Sequence, residues 1–504
     1  MAVIFTMVLQ LLAFLFILFA LLLALFTSYL LYLRRIKFGH LPGPSPSSFF
    51  KGNFPDIQAK LDCGSSSFQF LLDCHLEHGD IVLIWLFFLP WVNVLNVADV
   101  RDVLIVKNFP KNPRFYKDCL QTLFGQRAMG TSLLTNLDEQ QWRHRRTLMN
   151  PAFQRHYLRH LVTMFNQSMD IFLSKLHDSV AEGTEVKMAD EFSLATLDVI
   201  CKAGFGIDLD VINDPNGPFL EAYNLILKGV EEAFVNPLHK WDFTSYARQR
   251  KVIAALQFLR RTGQETIEKR REAIRRGEVT PTDLLAHILK SADGESEITE
   301  EDLIDDFVTF FSSGHETTSS TLSFCLLELA HNEKALVRLE HEVVSVLGTR
   351  DDVTYDDLAK FKFLGCCLKE TLRLYPPAPG IIRITPDDVI LAGYSIPKGT
   401  TVSASPFVIG RHPRYWDNPT EFLPERWESK EESPNSALTF FPFSLGPRNC
   451  IGQTFAIMES KVILARFIQQ FSFALLPGQT KRIQERGSLQ PMDGVVCKLT
   501  QKNG

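Results

Sequence analysis

The chain lacks any C-x-x-C pair, any long basic block, any internal repeat and any low-complexity tract beyond its first 33 residues. Each absence excludes something. Phosphate binding needs concentrated Lys and Arg, so a chain of net charge −5 without a basic block is not expected to bind nucleic acid. The nine cysteines (63, 74, 119, 201, 325, 366, 367, 450, 497) are odd in number and scattered. They fit free thiols in a reducing compartment, not a secreted disulfide framework. Zinc is disfavoured too, because no second Cys or His stands at ligand spacing from Cys450. Charge is missing altogether from residues 1–33, "MAVIFTMVLQLLAFLFILFALLLALFTSYLLYL". At about 1.5 Å per residue this run exceeds a bilayer core of roughly 30 Å. It lacks the positive start and short apolar core of a cleaved signal, and reads as an uncleaved anchor. Arg34, Arg35 and Lys37 follow it, so the positive-inside rule leaves the body in the cytosol.

What is present is a long, largely helical chain. Its 504 residues would suit roughly three domains or one large helical body. "HLPGPSPSSFF" reads as a stiff proline-rich exit from the anchor. The organisation expected is an anchor at 1–35, a linker at 36–50 and a single body at 51–504. Residues 80–97 are β-branched and aromatic around Pro90, and predict a hairpin. From about 99 to 375 apolar residues recur at three- and four-residue steps, as in helices. Gly and Pro multiply between 380 and 425 among short strands, and one helix plus a β ending closes the chain. The class is mainly α with a smaller β region (α+β). The stretch 230–243, with Phe234, Leu238, Trp241 and Phe243 around a proline, suits either a second membrane contact or buried loop packing.

"FPFSLGPRNCIGQ" (441–453) puts a lone cysteine at the mouth of a helix. A lone cysteine is more often core filler than ligand. Here, however, the helix N-terminus supplies N–H donors and a positive dipole end to a thiolate. Gly446 and Gly452 permit close backbone approach to a flat ligand, and Arg448 adds a permanent cation suited to a carboxylate. "KETLR" sets Glu370 and Arg373 at i,i+3, near enough to pair. "WRHRR" sets Trp142 and Arg146 at i,i+4; alone, it would pass for a solvated basic face. The run 300–332 is a long apolar helix with a polar middle, "SSGHETTSST". Mid-helix Gly and hydroxyls weaken or bend a helix, so this segment is either crowded by a neighbour or opened for a small ligand and water.

"FSLGPRNCIG" resembles, at Phe443, Gly446, Arg448, Cys450 and Gly452, the F-x-x-G-x-R-x-C-x-G signature of the cytochrome P-450 superfamily. Glu370, Arg373 and, in "FLPERW", Arg426 look like that family's E-x-x-R triad, which is structural there. "SGHETT" is similar to its oxygen-activation motif, with Ser313 replacing the usual Ala or Gly. The resemblance implies the P-450 fold behind one N-terminal transmembrane helix, and haem (iron protoporphyrin IX) with the Cys450 thiolate as axial ligand. A haem-bound thiolate pushes electron density onto the iron and favours O–O cleavage. It further implies propionate contacts from Trp142, Arg146, Arg383 and Arg448, and proton relay by Glu316 and Thr317 with Gly314 opening the groove. It implies O2 as co-substrate and electrons from NADPH through a membrane reductase at the endoplasmic reticulum. "HPRYW", Lys461 and Arg466 offer positive charge for the reductase.

Several stretches, among them "LRRTGQETIEKRREAIRRGE" and "LKETLRLYPPAPGIIR", look like the cholesterol 24-hydroxylase family, which implies hydroxylation of a sterol side chain. "PPAPGIIR" departs from that family's "PPAWGTFR" at Pro379, Ile381 and Ile382, positions the resemblance places against substrate. Fatty-acid or xenobiotic oxidation on the same fold is the alternative. A reductase-independent isomerase would usually lack the Glu316–Thr317 pair, and a haem sensor or lipid carrier would never consume NADPH.

Overall fold

A computed structural model describes residues 1–215, 217–236, 242–292, 298–428 and 436–502. Leu238 and Trp241 of the suspected second membrane contact lie outside the described residues. Phe234 is half exposed and packs edge-on against Phe115, with ring centroids 5.5 Å apart.

The apolar N-terminal run forms one helix, Ala2–Tyr32, whose side chains are almost all exposed. Residues 3–37 are long and apolar enough to cross a membrane. Contact with the body begins at Phe26, whose ring meets Phe88 edge-on at 5.9 Å, and continues through the buried Leu30, Leu33, Phe38 and Leu41. Phe38 meets Trp85 edge-on at 5.9 Å, and the Arg34 guanidinium lies over Phe49 and Trp85 at 5.3 and 5.2 Å. The proline-rich exit lies along a strand, its Pro42 carbonyl accepting the Leu83 N–H at 2.8 Å.

That strand, β1 (Ile81–Leu86), forms a hairpin with β2 (Leu89–Val94). Pro90 sits inside β2 opposite Trp85, and the turn falls at Phe87, whose φ is 57°. Strands β3 (Ile381–Ile384) and β4 (Thr401–Ala404) complete a sheet of order β1–β2–β4–β3, with β2 and β4 parallel. A second hairpin, β5 (Ile483–Arg486) and β6 (Ser488–Pro491), turns at Gly487.

The core has two parts, one beside the sheet and a larger one among the helices. Through the larger runs the central helix, Glu300–Ala330, started by a capping box between Thr299 and Asp302. It packs against the helices Met188–Val199, Tyr246–Arg275, Lys362–Leu374 and Gln453–Gln470, and against β6. A helix enclosed on nearly every side has no broad solvent face, which explains why its sequence shows little amphipathic bias.

Candidate functional site

The loop before the helix Gln453–Gln470 is closed by the Cys450 N–H, which donates to the Phe443 carbonyl at 2.8 Å. Gly446 holds φ at 73°, and an added Cβ would stand 2.2 Å from the Leu104 carbonyl oxygen, so no side chain fits there. Gly452 differs: among the described residues other than its chain neighbours, only the Cys450 sulfur, at 3.9 Å, lies within 4 Å of where its Cβ would stand. All nine cysteines are free, and seven are buried. Cys450 keeps open surface although its thiol lies deep in the body, so that surface faces inward. Burial pushes its pKa up, while N–H groups of Gly452 and Gln453 and the nearby Arg146 pull it down.

The arginines of "WRHRR", on the helix Glu139–Met149, take three directions. Arg143 pairs with Glu139 at 3.2 Å on the surface. Arg145 is buried and bonds Asp302 at 3.0 Å and Asp306, fixing this helix to the start of the central one. Arg146 donates to the Asn449 carbonyl and Oδ1 at 2.7 and 3.0 Å, gripping the cysteine loop one residue before the sulfur. Trp142 is buried and carries the Arg448 guanidinium over its ring at 4.1 Å. Arg448 donates to the Asn136 carbonyl and Glu139, each at 2.8 Å.

Arg383, on β3, is only 2% exposed; its Nη1 reaches the Ile382 carbonyl at 3.2 Å and its Nε has no partner among the described residues. Lys111 joins it. That lysine lies over the Tyr116 ring at 4.4 Å and donates to the Leu134 carbonyl. Burial, then the charges of Arg383, Arg448 and Arg146, push its pKa well down, with Glu139 opposing. The guanidinium groups of Arg383, Arg448 and Arg146 outnumber the Glu139 carboxylate and disfavour a charge on Lys111, an excess of positive charge that a ligand bearing two carboxylates would neutralise. An inward-facing thiol met by N–H donors, a glycine with space beside it, a buried guanidinium with an unpaired Nε and this cation excess fit haem.

Between Asp302 and Leu329 every residue of the central helix is buried except Ser313, Gly314 and Thr317. The helix is unbroken there, and the residues beside the gap have small side chains. Thr317 donates to the Ser313 carbonyl at 2.8 Å. Gly314 lies against Ile200, whose side chain would be 2.9 Å from an added Cβ. Glu316 points elsewhere: its carboxylate takes hydrogen bonds from Tyr223 and, at 3.0 Å, from Ser488. Burial raises its pKa to about 7 against the pull of those donors. His315 is buried and neutral, held down to about 4.

Glu370 and Arg373 form a bidentate pair at 2.7 and 2.9 Å with neither side chain exposed. Arg426 Nε and the Trp427 indole N–H complete the Glu370 carboxylate at 3.0 and 2.9 Å. The Trp427 ring packs 4.5 Å from Phe440, at the entry to the cysteine loop.

Three expectations change. Lys461 and Arg466 are not surface charges. Lys461 donates to the Leu358 and Phe361 carbonyls at 2.7 and 2.9 Å, and Arg466 is buried against the Asn166 carbonyl and Asp170. In "HPRYW", Arg414 is paired with Asp80 and His412 is buried, so this trio forms no basic footprint. Ile381 and Ile382 are neighbours on β3, and alternation puts Ile381 on the face of Arg383 and Ile382 on the other. Both cannot face one substrate.

The family model for Cytochrome P450 matches residues 42–498. The chain is 29% identical over 491 residues to cytochrome P450 3A12 of Canis lupus familiaris, an alignment covering 92% of each chain. It is 28% identical over 486 residues to cytochrome P450 3A5 of Homo sapiens, again covering 92% of each. Over 421 residues it is 32% identical to Protein LUTEIN DEFICIENT 5, chloroplastic, of Arabidopsis thaliana, covering 80% of this chain and 70% of that one. The match spans the sheet, the central helix and the cysteine loop alike, and the chain belongs to the cytochrome P450 family as a haem-thiolate monooxygenase served by a redox partner.

Proposed function

We propose that this chain hydroxylates an apolar, lipid-like substrate, a sterol side chain first, using electrons from NADPH passed by a membrane reductase. One observation carries the assignment of the site: an inward-facing thiol on the loop that leads into the helix Gln453–Gln470, and a partly covered Ser313–Thr317 stripe on the central helix, against which that helix packs. Bound haem supplies the activation of O2, one atom entering a C–H bond and the other leaving as water. The residues do the rest. Cys450 would hold the iron, and Arg383, Arg448 and Arg146, with Lys111 where it is protonated and the Trp142 N–H as a further donor, would serve the two propionates. Phe443 and Gly452 shape the loop beneath. Glu316 and Thr317 hold and move protons, and a carboxyl with a pKa of about 7 can give and take one at neutral pH.

The apolar helix followed by Arg34, Arg35 and Lys37 supports a single-pass anchor in the endoplasmic reticulum membrane with a cytosolic body. Division into anchor 1–35, linker 36–50 and catalytic body 51–504 goes with it. Likeness to cholesterol 24-hydroxylases in the stretches quoted above supports the sterol. A second reading, fatty-acid or xenobiotic oxidation, is favoured by the 3A designation of the full-length relatives.

Titration of the haem protein with sterols and with fatty acids, followed by mass spectrometry of products, separates the two. A sterol is expected to shift the haem spin state and return hydroxylated on its side chain. A shift with fatty acids or unrelated apolar compounds alone would replace the sterol. Thr317→Ala is expected to retain haem and the substrate-induced shift while diverting NADPH electrons to hydrogen peroxide. An unchanged ratio of product to peroxide would count against Thr317 as a proton donor.

A further inference from the structure

The Glu316 carboxylate and the Thr317 hydroxyl stand on different faces of one helix, since successive residues turn about 100°. Thr317 lies on the partly covered stripe, while Glu316 lies under two other elements. One is the helix Pro218–Val235, whose Tyr223 is 3% exposed and donates to Oε2 of Glu316. The other is the β5–β6 hairpin, whose Ser488 donates to Oε1 at 3.0 Å. The Ser488 hydroxyl is itself oriented, because the Gln490 amide donates to its oxygen at 3.1 Å and leaves its proton for Glu316. Gly487 closes the hairpin directly over the carboxylate: an added Cβ there would stand 3.5 Å from Oε1.

We infer that Tyr223 and Ser488 are positioning residues that clamp Glu316 away from Thr317, so that proton supply depends on how the helix Pro218–Val235 and the β5–β6 hairpin seat on the central helix. The clamp is built to open. A phenol has one proton, and that of Tyr223 has a second acceptor waiting, the Ser312 carbonyl at 3.4 Å. When Glu316 swings out, the buried Tyr223 hydroxyl keeps a partner, which removes the usual penalty for an orphaned donor. The ring stays fixed by His315 at 4.5 Å and Phe311 at 6.0 Å. The charged groups around the carboxylate are few. Glu231, on the helix of Tyr223, disfavours its ionisation, and Arg486 on β5 offsets Glu231. His315 on the central helix is neutral. The two hydroxyls are therefore the main stabilisers of the ionised form.

The inference rests on Glu316 being a proton carrier, and its test is separable from that reading. In the haem-loaded protein, the infrared carbonyl band of protonated Glu316 is identified by its absence in Glu316→Gln and followed against pH. Tyr223→Phe and Ser488→Ala each remove a donor to the charged form, so the midpoint is expected to rise by about one pH unit, tenfold in the protonation equilibrium. The pH at which peroxide overtakes product should move up with it, while haem content and the substrate-induced shift stay. A Tyr223 that only packs would leave the midpoint where it was. An unmoved midpoint in both variants overturns the clamp. If the midpoints move but Glu316→Gln leaves product and peroxide unchanged, the clamp stands and the relay role of Glu316 falls.

Discussion

Cys450→Ser is expected to abolish the strongly red-shifted Soret band that the reduced protein shows under carbon monoxide, and with it all NADPH-supported product formation. The fold should survive, because the loop is held by other groups: the Phe443 carbonyl, Gly446 against Leu104, and Arg146 on Asn449. Sulfur and oxygen differ here in one respect that matters. Burial pushes the Cys450 thiol up, and two N–H donors and Arg146 bring it back toward ionisation. The same donors act on a serine hydroxyl, whose proton is far more firmly held, and cannot make an anion of it. A neutral oxygen neither pushes electron density onto iron nor gives the thiolate spectrum. Haem content therefore separates the outcomes. Apoprotein or a shifted spectrum both fit loss of the axial ligand, whereas an unaltered red-shifted band would remove Cys450 from the iron.

Much of this was legible in the sequence, and for a physical reason. The cysteine loop and the E-x-x-R pair are local: their spacing along the chain fixes their geometry in a turn or a helix. The uncharged run of 33 residues likewise declares its length without reference to anything else. Lys111 was missed because nothing in "FPKNPRF" distinguishes it from a solvated lysine. It is internal because Tyr116, Leu134 and Arg383 close around it. Tyr223 and Ser488 were missed for the same reason, lying 93 and 172 residues from Glu316. Lys461 and Arg466 were misassigned because their helix is apolar nearly all round. Such a pattern gives no outward face, and each cation is instead absorbed by carbonyls of neighbouring segments. "WRHRR" shows the limit most sharply. Its arginines have identical chemistry, yet one is exposed, one locks two helices together and one grips the cysteine loop. Only tertiary contacts distinguish them.

Glu370→Ala is expected to cost about 3–5 kcal/mol of stability, the usual penalty for leaving a buried charge without its partner. Against a total of roughly 5–15 kcal/mol for a natural protein, that is enough to leave much of the chain unfolded or without haem. Glu370 is the acceptor at the centre of the network. Its loss strips Arg373 of two bonds, and removes the partner of Arg426 Nε, of the Trp427 indole and of the Leu423 N–H. Arg373→Ala should come next. The Glu370 carboxylate would keep Arg426 and Trp427, but the Pro419 and Glu421 carbonyls would lose the donor that now reaches them at 2.6 and 2.9 Å. Arg426→Ala should be mildest, since its remaining bonds go to the Asp417 and Asn418 carbonyls near the surface. Denaturation midpoints and haem content of the three variants should follow that order. Because the Trp427 ring meets Phe440 at the entry to the cysteine loop, haem loss should track stability and not precede it. If Glu370→Ala retained wild-type stability and lost turnover alone, this buried carboxylate would belong to the chemistry and not to the frame that holds the sulfur in place.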